Sequence, residues 1–405
     1  MTSRGDRVTS STAQVPIVHL AKDLRESIEG GHPWIFDRAL RKLPESLRPG
    51  QLVRIAHRDK VLGTGFVDPS GPIAVRILQL GDNARIDSTW VRKTSESAAK
   101  MRATDWQLTT TNAYRLFHGE NDFMPGLVVD LYDGTGVVSF DGAAARNFWI
   151  EHIAAVHEGC RDAGVEIVRL WARPLRRTGG VGVSLYGDEP PQTITIEEHG
   201  ARFEVDVRRG QKTGFFLDQR ENRRMVAGLA GGSTVLNLFG YTGGFSVHAA
   251  LGGARHVTTV DIAAPAIEAA RRNFSLNGLN PKDHAFAAED VFRYMERIGS
   301  EQFDIVICDP PSFAPNKQAR GQALQAYRRL NAAAIERVLP GGLLVTASCS
   351  SHITVEDMLE VVRSAAVKSR RRARVQQIFG AGSCHPVRPA FPEGRYLKLL
   401  VVYVD

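Results

Sequence analysis

The rhythm of apolar and polar positions divides the chain into four stretches. Residues 1–14 carry no apolar pattern and read as a disordered tail. From 15 to 84, short apolar pieces (QLVRIA, VLGTGFV, IAVRILQL) are separated by Pro/Gly turns, a pattern that predicts a small β-barrel. Residues 85–204 read as a central α+β domain. It has a helix at 88–103, strands around GLVVDLYDGTGVVSF with Asp133-Gly134 as the hairpin turn, a helix over 145–163 and the strand VEIVRLWAR. From 205 to 405 the pattern becomes apolar strand, Gly-rich turn and amphipathic helix, repeated through STVLNL, HVTTVD, DHAFAAE, FDIVICD and GLLVTAS. Such spacing leaves room for crossover helices and predicts an open, mostly parallel α/β sheet. Ligands of such sheets bind at the carboxyl ends of the strands.

Length and composition refine this picture only modestly. A chain of 405 residues calls for two or three domains. The net charge of +7, from 51 Lys+Arg against 44 Asp+Glu, is compatible with a polyanionic partner such as RNA. The basic run KSRRRAR at 368–374 ends a predicted helix, where cations complement the helix dipole as readily as they contact RNA. Four cysteines (Cys160, Cys308, Cys349, Cys384) lie far apart without metal-ligand spacing, so neither a metal site nor a disulfide framework is expected, and a reducing cytoplasm suits them. The N-terminus lacks an apolar signal region, and no run approaches the roughly 18 apolar residues that span a bilayer, so no membrane partner is expected.

Candidate chemistry collects at the expected strand ends. The first strand runs into NLFGYTGGFSVHAA, where Asn237 precedes a loop whose Gly240, Gly243 and Gly244, with Thr242 between them, let the backbone approach a ligand. The next strand ends in Asp261, placed to accept both hydroxyls of a ribose, and the third in Asp290, placed for an adenine amino group or as a helix N-cap. Gly-x-x-Gly-Gly is not the dinucleotide fingerprint, and S-adenosylmethionine, which has no pyrophosphate, fits it better. The preceding segment GQKTGFFLDQRENRR offers Lys212, Thr213, Asp218, Gln219 and Arg220 for a methionine carboxylate and ammonium; its plainer reading puts Phe215, Phe216 and Leu217 in the core. The fourth strand ends CDPPSF. Two prolines, Pro310 and Pro311, fix an extended turn that holds Asp309 toward the pocket, and Phe313 can stack on a planar base. Cys349, in SCS just past the fifth strand, lies at the same ligand-bearing edge, whereas Cys308 is assigned to packing.

These residues together resemble the PUA-domain-containing class I methyltransferases typified by the bacterial 23S rRNA cytosine-5 methyltransferase. The matching pieces run in order from about residue 15: HPWIF, YRLFHGENDFMPGLVVDLYDG, QKTGFFLDQR, GYTGGFSV, DPPSF, SCS and HP…PEGRYLK. The resemblance implies a PUA-like barrel for RNA docking, a central α+β domain and a Rossmann-like domain binding S-adenosylmethionine. It implies a cofactor site at Thr213, Gln219, Arg220, Asn237, Gly240, Thr242, Asp261, Asp290 and Asp309, with Lys212, Pro310 and Phe313 on the substrate side. It also implies that Cys349 is the nucleophile. C5 of cytosine is a poor nucleophile until a thiolate adds at C6, and Asp309 is the candidate partner at N3.

One position departs from the pattern: many RNA cytosine-5 methyltransferases carry a second cysteine after the Asp-x-Pro turn, and here that place is Ser312. Three other readings therefore remain open: N-methylation of an RNA base such as guanine, a non-catalytic rRNA-binding assembly factor, and a small-molecule methyltransferase. A homodimer is one of the oligomeric states left open.

Overall fold

The computed structural model describes residues 15–175, 179–314 and 316–405. The expected tail at 1–14 lies outside the described residues. The first domain is a five-stranded sheet in the order Ile17–His19, Leu52–His57, Lys60–Val67, Ile73–Leu80, Trp34–Phe36. An antiparallel bridge between Leu20 and Leu40 joins the continuations of its two edge strands, closing the sheet on itself. Val18, Ile35, Val53, Ile55 and Val75 fill the interior.

The central sheet runs Val183–Tyr186, Arg169–Ala172, Thr135–Phe140, Leu127–Tyr132, Ala113–His118. Asp133 (φ 45°) and Gly134 (φ 74°) form the two-residue hairpin turn, and Tyr132 pairs with Thr135. Positive φ at both positions gives the turn the twist of the flanking strands. The helix Ser88–Ala103 is capped by Asp87, whose side chain accepts from the Trp90 N–H. The helix expected over 145–163 is two helices, Ala143–Glu151 and Ile153–Asp162, broken at His152, whose φ of −110° is not helical.

A hairpin, Thr193–Glu198 with Ala201–Asp206, follows. Its inward residues Ile196, Phe203 and Val205 share a core with Phe215, Val226 and Val247 of the last domain. The expected boundary at 204/205 cuts through this hairpin, because apolar alternation marks a strand without saying which core covers it.

The seven-stranded sheet runs Ala285–Ala288, His256–Asp261, Thr234–Leu238, Phe303–Cys308, Val338–Ser348, Lys398–Val404, Ala373–Phe379. All neighbours are parallel except Lys398–Val404, which is antiparallel to both strands beside it. Alternation along the strands builds two cores: Val235, Ile305, Ile307, Val345 and Val401 face one side. Leu236, Val306, Cys308, Leu344 and Val402 face the other. Both faces are covered, so these strands read as continuous apolar runs. Cys308 is fully buried in the second core.

The basic run after the helix Val355–Lys368 serves partly to close the chain end. Arg371 donates to the Asp405 and Val338 carbonyls, and Arg374 pairs with the Asp405 carboxylate. Among the described residues, no helix is long and apolar enough to cross a membrane.

Candidate active site

Turns at the carboxyl ends of five parallel strands surround a cavity of about 230 Å³. After Thr234–Leu238 the chain turns through Phe239 (φ 61°), Gly240, Tyr241 (φ 46°) and Gly243 (φ 82°) into the helix Gly244–Leu251. A Cβ on Gly240 would lie 2.5 Å from Thr259 Cγ2, so only glycine lets this loop lie against the neighbouring strand. Asp261 braces the turn: its Oδ2 accepts from Tyr241 N at 2.9 Å and its Oδ1 from Ala263 N at 2.9 Å. Asp290 caps the helix Val291–Arg297, accepting from the N–H groups of Phe292 and Arg293.

Asp309 and Cys349 come together because Phe303–Cys308 and Val338–Ser348 are parallel neighbours, with Cys308 beside Thr346. Ser350 Oγ ties the two following loops by donating to Ala314 O at 2.9 Å. Beyond Cys349, Thr354 and Asp357 form a capping box at the next helix.

Of the candidates, Lys212, Gln219, Gly240, Thr242, Asp261, Asp290, Asp309, Pro310 and Cys349 line this cavity. Thr213 is turned to the central domain, where its Oγ1 donates to Asp130 Oδ2 at 2.5 Å and meets Tyr132 Oη at 2.9 Å. Arg220 is fully buried away from the cavity, bonded to Glu221 Oε1 at 2.8 Å and Cys384 Sγ at 3.3 Å. Asn237 lies beneath the loop and donates to Ser246 Oγ at 2.8 Å. Phe313 packs against Tyr327, ring centroids 4.9 Å apart, beside the second core. Phe239, Tyr241, Ile262 and Leu397 line the cavity without having been singled out from the sequence. Ile262, 72% exposed, follows Asp261 directly; an apolar residue just past an acidic strand end was the signal available.

Charge in the cavity is asymmetric. Burial would raise Asp218, but Lys212 Nζ at 2.7 Å and the Tyr396 hydroxyl at 2.6 Å hold it down, to about 2. Asp309 is pushed up to about 6 by burial and by the Asp218 charge, while Gln219 Nε2 donates to its Oδ2 at 2.9 Å. Burial and Asp309 push the Cys349 thiol up to about 11, so the resting side chain is a thiol. Lys398, opposite Ser348 on the adjacent strand, donates to the carbonyls of Ser350 and Tyr396 and is lowered to about 8 by burial. It clamps the Cys349 loop.

Two buried polar atoms of the cavity lining have no partner: Asp218 Oδ1 and Thr242 Oγ1. Together with the Asp261 and Asp290 carboxylates they suit a ligand that carries an ammonium, hydroxyls and an amino group.

Comparison with known proteins places this site in a class. Residues 175–376 match the S-adenosylmethionine-dependent methyltransferase family and residues 18–80 a PUA-like domain. A protein assigned as a methyltransferase and solved in complex with SAH superposes with a TM-score of 0.83 at 25% identity, covering 96% of this chain and 99% of that one. Another such structure, from Streptococcus mutans, gives 0.82 at 25% identity, over 96% of this chain and 100% of its own. Fold and site thus define an S-adenosylmethionine-dependent methyltransferase with an N-terminal PUA-like domain.

The ribosomal RNA large subunit methyltransferase of Deinococcus radiodurans is 37% identical over 402 residues, 96% of this chain and 97% of its own. Ribosomal RNA large subunit methyltransferase I of Klebsiella pneumoniae is 34% identical, over 95% and 97%. The chain belongs to this ribosomal RNA large subunit methyltransferase family.

Proposed function

We propose that the protein methylates C5 of a cytosine in 23S rRNA, with Cys349 as the nucleophile and Asp309 as its acidic partner. The observation that carries this reading is that a partly exposed thiol and a carboxyl group of raised pKa line one cavity at adjoining strand ends. Asp218, Thr242, Asp261 and Asp290 would hold S-adenosylmethionine, which supplies an electrophilic methyl group.

As its sulfur bonds to C6 of the ring, Cys349 gives its proton to the ionised Asp309 carboxylate, the main form of that group at pH 7. The ring electrons shift toward C5 and N3, and neutral Asp309 hydrogen-bonds N3 as that charge develops. At pH 7 a group with pKa about 6 is roughly nine-tenths ionised, able to accept the thiol proton and then to offer it to N3. After transfer, loss of the C5 proton to water and departure of the thiolate, which takes back a proton from Asp309, restore the aromatic ring. Lys212, Pro310 and the Cys349 loop surround the base. Thr213, Arg220 and Asn237 support the pocket from behind.

Ser312, exposed and outside the cavity lining, favours a second reading in which an amino or ring nitrogen of guanine is methylated and Cys349 has no covalent part. One assay separates the two: methyl transfer to 23S rRNA from a strain lacking this protein, followed by nucleoside mass analysis, with wild type and Cys349→Ala. We expect 5-methylcytidine from wild type and none from Cys349→Ala, whose S-adenosylmethionine binding by calorimetry stays intact. Methylguanosine, or an active Cys349→Ala, overturns the cytosine reading. Absence of cofactor binding in wild type would return the chain to an assembly role.

A further inference from the structure

A second cavity, of about 640 Å³, lies where the PUA-like domain, the helix Ser88–Ala103, the 121–123 turn and the 386–388 loop of the last domain meet. It is separate in its lining from the catalytic cavity, and nothing above uses it.

Its chemistry is specific. Phe123 stands in a left-handed conformation (φ 60°) and is 54% exposed, a large ring held out of any core. The Arg388 guanidinium lies 4.2 Å from the centre of that ring. Arg388 donates to the carbonyls of Glu120 at 3.1 Å and Gly31 at 2.6 Å; among the described residues no carboxylate pairs with it directly, and the nearby Glu120 carboxylate is held by Arg76 and Trp34. Lys93 adds a second, exposed cation from the helix. The carboxylate in the lining, Asp122, is already neutralised by Arg102 through two bonds of 2.7 Å. Gln79 Oε1, also in the lining, is buried without a hydrogen-bond partner.

An exposed ring backed by a guanidinium, two cations without a direct carboxylate partner and an unmet amide acceptor match an unpaired nucleotide. The base stacks, a phosphate meets the cations, and an exocyclic amino group takes the amide oxygen. We propose that this cleft seats an unpaired nucleotide of the RNA substrate, remote from the base being methylated. The inference rests on the RNA reading above. It assigns to the junction of the domains, rather than to the barrel alone, the task of docking the RNA. A polypeptide without acidic side chains would leave Lys93 and Arg388 without an anionic counterpart, and an acidic one would not use the exposed ring to stack a base.

The test uses full-length protein with Phe123→Ala and Lys93→Gln, both at exposed side chains that leave the cores intact. Binding of fluorescein-labelled oligocytidylate is followed by anisotropy across a salt series, and methylation of 23S rRNA lacking the modification is measured in parallel. Loss of one stacked base should raise the Kd and the rRNA KM roughly 5- to 100-fold for Phe123→Ala. Loss of one phosphate contact should lower the slope of log K against log salt by about 0.7 for Lys93→Gln. Affinity for S-adenosylmethionine, read by calorimetry, should not move in either variant. If wild type methylates rRNA while both variants keep its Kd, KM and salt slope, the cleft inference is overturned and a polypeptide becomes the better occupant. If wild type fails to methylate rRNA at all, it is the RNA reading that fails.

Discussion

Replacing Asp309 by Asn should make the protein more stable and inactive, and the stability gain should grow with pH. Burial and the Asp218 charge raise Asp309 from 3.8 to about 6. A native state that holds its proton more tightly than the unfolded chain gains from this group below pH 3.8, and that gain is lost as pH rises through 6. At about 1.4 kcal/mol per pKa unit the whole effect is about 3 kcal/mol, of which about half develops between pH 5 and pH 8. Asparagine keeps the shape, still offers an oxygen to Gln219 Nε2, and carries no charge. Urea unfolding of wild type and Asp309→Asn at pH 5 and pH 8 therefore reads out this one group. The variant's advantage should be about 1.4 kcal/mol larger at pH 8. Methyl transfer, measured on the same preparations, should fall by at least about 100-fold, the usual contribution of a positioned acid. An advantage equal at the two pH values would refute the assignment of a strained carboxylate to this cavity.

Other perturbations probe separate features. With its thiol pushed up to about 11, Cys349 should be alkylated by iodoacetamide at a rate that climbs about tenfold per pH unit between 7 and 9; a plateau by pH 8 would contradict the raised thiol pKa. Glu198 is fully buried against Arg223 (2.6 and 2.7 Å) and His248 (3.0 Å), so Glu198→Ala strands a buried guanidinium and should cost about 3–5 kcal/mol in urea unfolding. A loss under about 1 kcal/mol would mean that Arg223 finds water. Gly240→Ala drives a Cβ to 2.5 Å from Thr259 Cγ2 and should destabilise the protein by about 1–3 kcal/mol while weakening S-adenosylmethionine binding by calorimetry. Unchanged cofactor affinity would show that the loop relaxes outward.

The parts of this molecule that sequence pattern exposed are those governed by local rules. Strands buried on both faces announce themselves as apolar runs, and strand ends are where such sheets bind ligands. Asp261, Asp290, Asp309 and Cys349 were therefore legible as one edge. Side-chain direction within the 210–224 segment was not. Thr213 turns toward Asp130, 83 residues earlier, and Arg220 toward Cys384, 164 residues later. Neither partner is visible from spacing along the chain. Phe313 was placed on the pocket as a ring that could stack on a base, but it packs at a tilt against a core tyrosine on the following helix, Tyr327. The split at His152 and the hairpin's allegiance to the last core are likewise tertiary outcomes.

The same non-locality explains how a cleft at the domain junction can matter to chemistry at a strand end. The chain between Gly380 and Leu397 is anchored at both places. At the junction, Arg388 N donates to Asn121 Oδ1 at 3.0 Å, and Arg102 Nη2 to Cys384 O at 3.0 Å. At the catalytic cavity, Gly382 N donates to Asp218 O, and Tyr396 Oη to Asp218 Oδ2. Leu397 lines that cavity, and the next residue, Lys398, clamps the Cys349 loop. A single segment therefore sets both the guanidinium behind Phe123 and the hydroxyl that, after Lys212, helps hold Asp218 ionised beside Asp309. Asp218 in turn raises Asp309.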